Sequence, residues 1–88
     1  MRAGGTKISE FEQAAVAGRV DAQYELGLLY STGHGVPTDY VAAHMWLNIA
    51  SVKGSAEARR LRAELAGDMS RDQIAEAQRR AREWLARH

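Results

Sequence analysis

His34 and His44, the serines Ser31, Ser51, Ser55 and Ser70, and an arginine-rich last third are the places where this 88-residue chain could do chemistry. Paired histidines suit a metal, but these two stand ten residues apart across a glycine-rich turn, without the i, i+4 spacing that seats two imidazoles on one helix face. A polar turn residue and a helix histidine with a local hydrogen bond are the plainer reading. A hydrolase needs a nucleophile and an oriented base. The serines stand at cap or helix-surface positions, and no Gly-x-Ser-x-Gly elbow is present. Zero cysteines exclude a disulfide scaffold, a thiolate metal site and cysteine catalysis together. The helices around Gly67-Asp68-Met69 offer a helix-turn-helix, with Ser70 to Trp84 reading nucleic acid. Against it, Asp72, Glu76 and Glu83 interleave the arginines, and residues 55–88 carry eight arginines against six acids. The same helix on a membrane would have only an alanine-rich face as its anchor. The sequence therefore predicts no catalytic, cofactor-binding or metal-binding residue, and no cofactor.

The elements that would position any site are helices. Sixteen alanines stand against eleven Val, Ile and Thr residues, a balance that favours helix over strand. Ser9 and Glu12 make a capping box for a helix to about Ala17, with Gly18 at its end. Ala22, Leu26 and Leu29 fall at helical spacing in Val20 to Thr32, and together with Tyr30 are expected in the core. Gly33-His34-Gly35-Val36-Pro37 stops that helix, with positive φ expected at both glycines. Thr38 or Asp39 caps the next, whose stretch Tyr40 to Val52 is apolar at ten of thirteen positions and so must be covered on more than one side. A fourth helix runs from Ser55 to about Ala66. Ser70 with Gln73 opens a fifth, which has Ile74, Ala77, Ala81, Trp84 and Leu85 on one face and Glu76/Arg80, Arg79/Glu83 and Glu83/Arg87 pairs on the other. No segment alternates with period two, so no strand is expected. No apolar run approaches the ~20 residues a membrane helix needs.

Short turns between helices of this length suggest stacked hairpins. A shift of 36 residues places Phe11, Ala14, Gly18, Asp21 and Ala22 on Leu47, Ala50, Gly54, Glu57 and Ala58. Ala22-Gln23-Tyr24-Glu25-Leu26-Gly27-Leu28-Leu29-Tyr30, then Gly33-His34-Gly35-Val36-Pro37-Thr38-Asp39-Tyr40, then Ala43, Trp46, Ala50 and Gly54 closely resemble the Sel-one-like repeat (SLR) family, which is related to the tetratricopeptide repeats. The segment Ala43 to Ala50, with Leu65, Met69-Ser70, Gln73 to Gln78 and Ala81 to Trp84, resembles the C-terminal end of bacterial members. The resemblance covers about residues 9–86, and residues 18–54 match almost one whole unit. Residues 55–88 depart from it, with Arg60, Arg62 and Ala63 where the complete unit has Tyr24, Leu26 and Gly27.

The resemblance implies an all-α stack of helical hairpins, a tetratricopeptide-like superhelix of about five helices. Residues 1–8 read as a disordered arm, 9–17 as a leading helix, 18–54 as the complete repeat and 55–88 as a degenerate capping hairpin with a polar outer face. It implies a non-catalytic protein–protein interaction or scaffold module. The alternatives are the small nucleic-acid-binding regulator above, or a hydrolase as suggested for some cysteine-rich relatives. Tyr24, Leu28 and Ser31 share a stripe of the second helix beside its core stripe; they are the candidate partner-binding residues, the alternative being that the neighbouring helix 9–17 covers them. The helix at 9–17 has no hairpin before it, so its outer face is expected to be apolar and to bind a second copy or preceding repeats. The partner is expected to be a protein rather than nucleic acid. Compartment is left open between the cytoplasm and, if a leader was removed, the periplasm.

Overall fold

Capping chemistry in the sequence sets most of the helix starts. The computed structural model describes residues 3–88, with side chains from residue 8 on. It has α1 (Ala3–Val16), α2 (Val20–Thr32), α3 (Tyr40–Val52), α4 (Ala56–Ala66) and α5 (Arg71–Arg87), and no strand among the described residues. Asp39, rather than Thr38, caps α3 by accepting from the Ala42 amide at 3.0 Å. Ser55 accepts from the Ala58 amide at 3.1 Å. The second capping box is complete: the Gln73 amide donates to Ser70 Oγ at 3.1 Å, and the Ser70 amide donates to Gln73 Oε1 at 2.9 Å. Gly33 ends α2 in the left-handed region at φ 76°, its amide reaching the Leu29 carbonyl at 2.8 Å. Gly35 also takes a positive φ of 82°, as the turn sequence requires.

The start of α1 differs from the expectation. Residues 3–8, read from the sequence as part of an arm, form the first turns of this helix, and Ser9 lies inside it rather than capping it. Met1 and Arg2 lie outside the described residues. The reason is packing upstream of the supposed cap: Ile8 lies three residues before Phe11 on the same face, and both pack against the core.

α3 is the centre of the fold, with α2, α4 and α5 all packed against it, while α1 lies on α2. Two apolar clusters result. The first joins Ala15 of α1, Ala22 and Leu26 of α2, Trp46 and Ile49 of α3 and Ala81 of α5, with Trp84 meeting Trp46 edge-on at a centroid distance of 5.7 Å. The second joins Ala43, Leu47 and Ala50 of α3 to Ala58 and Leu65 of α4. The apolar circumference of α3 is used on both sides, as its composition demanded.

Two expectations are corrected here. α4 and α5 do not make a mutually packed hairpin: α5 packs on α3 and sends Trp84 and Leu85 into the cluster that α1 also enters. With only Ala58, Leu61 and Leu65 as its apolar stripe, α4 spends that stripe on the second cluster and has no second face for α5. The outer face of α1 is not apolar either. Among the described side chains, Ser9, Glu10 and Gln13 are exposed there, and Val16, at 50% exposure, is the one large apolar side chain beside them. A face of that kind gives no apolar reason for self-association.

Candidate functional site

The geometry of α2 follows from Gly27. A Cβ there would lie 2.5 Å from Leu47 Cγ and 3.3 Å from the Ala43 carbonyl oxygen, so α3 approaches to where only a hydrogen fits. Ala22, Gln23, Leu26 and Gly27 are consequently buried. Gln23 is fully buried and staples the helix to its predecessor, Nε2 donating to the Ala15 carbonyl at 3.1 Å. Tyr30 donates to Glu12 Oε2 at 3.3 Å. Burial first, then the Glu12 carboxylate, raises the pKa of that phenol above its ordinary value. At the entry to α2, Arg19 binds Asp21 at 3.0 Å, and this hydrogen bond is the main reason the Asp21 carboxyl sits below the usual range.

With one side of α2 spent in this way, the three candidate partner-binding residues fall in different settings. Tyr24 is half-buried and packs against the cluster of Ala43, Leu47 and Ala58. Leu28 is half-buried and belongs to neither apolar cluster. Ser31 is half-buried, its Oγ donating back to the Leu28 carbonyl at 2.9 Å, the habit of a helix serine whose hydroxyl is satisfied locally. Leu29 was expected in the core. It too is half-buried and outside both clusters, so Leu28 and Leu29 together are apolar surface near the end of α2 that the core does not use. The spacing Ala22, Leu26, Leu29 suggested otherwise because it ignored Gly27, which centres the buried arc nearer Gln23.

The groups weighed for chemistry are dispersed. His34 is exposed in the turn, with Nδ1 2.8 Å from Thr32 Oγ1. His44 is buried on α3, its Nδ1 without a partner; burial pushes its pKa down, and the charge of Arg62 adds to this. Ser55 and Ser70 are occupied as caps. Among the described residues no group of three or more His, Cys, Asp or Glu side chains is placed to hold a metal, and no helix is long and apolar enough to cross a membrane. The arginines of the supposed reading helix are partly engaged. Arg79 meets Glu76 and Glu83, each at 2.6 Å, and Arg80 meets Glu76 at 2.7 Å. The Glu76/Arg80 and Arg79/Glu83 pairs are two of the three that the i, i+4 pattern specified, and the third, Glu83/Arg87, is not formed. Glu83 turns to Arg79 in preference to Arg87, an arrangement that leaves Arg79 between two carboxylates.

Residues 20–55, which comprise α2, its turn, α3 and the cap of α4, match the family model of the Sel1 repeat. Repeats of this kind mediate protein–protein interaction. No curated protein matches the chain.

Proposed function

We propose that this chain, whose residues 20–55 are a Sel1 repeat, is a non-catalytic protein–protein interaction or scaffold module whose partner docks on the outward side of α2. The observation that carries the reading is Leu28. It is a half-buried leucine on a helix packed closely from behind at Gly27, with part of its surface open to solvent and used by neither core cluster. Apolar anchors on a rigid, pre-formed element contribute more to binding than the same groups on a mobile loop, because little ordering is lost on association. Tyr24 would contribute its exposed edge beside Leu28, while Ser31, already bonded to the helix backbone, would contribute little beyond shape.

The test is a photo-reactive residue placed at position 28 and a set of alanine variants, used to recover the partner from native lysate. Leu28→Ala is expected to lose the partner retained by the unchanged chain, with its helical circular dichroism and melting curve preserved, since Leu28 supports neither core cluster. Tyr24→Ala is expected to weaken retention and also to lower the melting temperature, because the ring packs on the second cluster. Full retention by a folded Leu28→Ala protein would show that this face is not the binding surface.

A further inference from the structure

His44 is the one ionisable side chain among the described residues that is buried, with 3% of its surface exposed. Its Nδ1 has no hydrogen-bond partner. One helical turn further along α3, Asn48 Oδ1 accepts a 2.7 Å hydrogen bond from the half-buried guanidinium of Arg62 on α4. Residues four apart share a helix face, so the bond that draws Arg62 to Asn48 also brings its charge to bear on the imidazole. Three helices pack on α3, namely α2, α4 and α5. Of their charged groups, Arg62 is the one that acts on His44. On α2, Asp21 is tied to Arg19; on α5, Glu76 is tied to Arg79 and Arg80.

We propose that His44, Asn48 and Arg62 form an acid-released clasp between α3 and α4, closed while the imidazole is neutral and opened when a proton makes it a second cation beside Arg62. A buried charge needs a partner or water. Here the charge that bears on the ring, that of Arg62, is of like sign, and Asn48 Oδ1, one helical turn along α3, is already bonded to Arg62. α4 is the element that yields. α3 is pinned by α2 and α5 as well, whereas α4 is held by the short stripe of Ala58, Leu61 and Leu65. Elements with few buried apolar contacts are those that open below the global unfolding free energy. The direction follows from linkage. His44 has its folded pKa below the ordinary value, so the open form binds the proton more readily. The clasp is then fully closed above about pH 6.5, the ordinary histidine value, weakens as pH falls below it, and has lost the whole contribution once pH is below the folded value. The clasp does not rest on the α2 surface binding a partner, because its readout is α4 itself.

The experiment is hydrogen exchange on the full chain, expressed as protection factors corrected for intrinsic exchange, at roughly pH 7.5 and roughly pH 5.5 so as to bracket histidine titration. Protection of the α4 amides is expected to fall on acidification, by up to about tenfold for each unit separating the folded and unfolded pKa of His44, while that of α2 is retained. His44→Gln is expected to hold α4 protection constant with pH. Arg62→Gln, which keeps a donor for Asn48 without the charge, is expected to shrink the fall. An equal fall in His44→Gln, or one shared equally by α2, overturns the clasp. If His44→Gln does not fold, nuclear magnetic resonance titration of the unchanged protein decides. The imidazole and the α4 amides must then titrate with one midpoint below the ordinary histidine value, and a ring that titrates without moving α4 overturns the proposal.

Discussion

Gly27→Ala sets two effects of opposite sign against each other. In the interior of a helix, alanine is favoured over glycine by about 1 kcal/mol, so α2 considered alone would gain stability. The added methyl, however, would lie 2.5 Å from Leu47 Cγ, 2.6 Å from Leu47 Cδ2 and 3.3 Å from the Ala43 carbonyl oxygen. Leu47 is fully buried, and the clash begins at Cγ rather than at the free end of the side chain, so rotating one methyl does not relieve it. Overpacking a close-packed core by a methyl costs about 1–3 kcal/mol. Subtracting the propensity gain leaves a net loss of about 0–2 kcal/mol, towards the upper end because the clash begins at the buried Leu47 Cγ. In a domain of this size each kcal/mol lowers the melting temperature by about 4–8 °C. Circular dichroism melts would measure the drop. A double-mutant cycle with Leu47→Ala supplies the cause. Leu47→Ala alone should cost about 2–5 kcal/mol. In that background the clash is gone, and Gly27→Ala should become neutral or stabilising. A stabilised Gly27→Ala single variant, or an equal loss in both backgrounds, would refute the account of α2 lying against α3 through this residue.

Two further predictions follow from the capping and buried polar groups. Ser70→Ala removes one arm of the α5 capping box and should cost about 1 kcal/mol in urea unfolding, a loss that Ser70→Asp should largely avoid because a carboxylate can accept the same Gln73 amide. Gln23→Met should be tolerated better than Gln23→Ala. Methionine fills the buried volume and removes the unpartnered Oε1, and the Ala15 carbonyl keeps its 3.0 Å bond from the Gly18 amide. Alanine instead leaves a cavity, at about 2 kcal/mol or more. Equal melting temperatures for the two variants would show that Gln23 acts neither through its volume nor through its amide.

The local signals in the sequence were read from side chains that act on their own backbone. Asp39, Ser55 and the Ser70/Gln73 box could be placed because a cap is completed within three residues, and Gly33 and Gly35 because their turn needs positive φ. The start of α1 was misplaced for the same reason: Ser9 and Glu12 form a valid local signature, and only the packing of Ile8 and Phe11 on the core overrides it. Of the candidate surface, Leu28 was legible as an outward position, but Leu29 was not. The spacing of apolar residues gives the width of a buried stripe, whereas the depth at which α3 settles against Gly27 decides where that stripe is centred.

From the sequence alone came the helical class, the α2–turn–α3 repeat and the ion-paired face of α5, since each depends on neighbours three or four residues apart. Which helix lies against which was decided only by tertiary structure. α5 has one apolar face and two possible partners, α3 and α4, and periodicity is silent between them. The choice falls to α3 because its circumference is apolar all round and must be covered twice, while the single stripe of α4 is already spent. The same competition for the faces of α3 placed His44 out of water beside Arg62, a meeting of residues eighteen positions apart that no local pattern encodes.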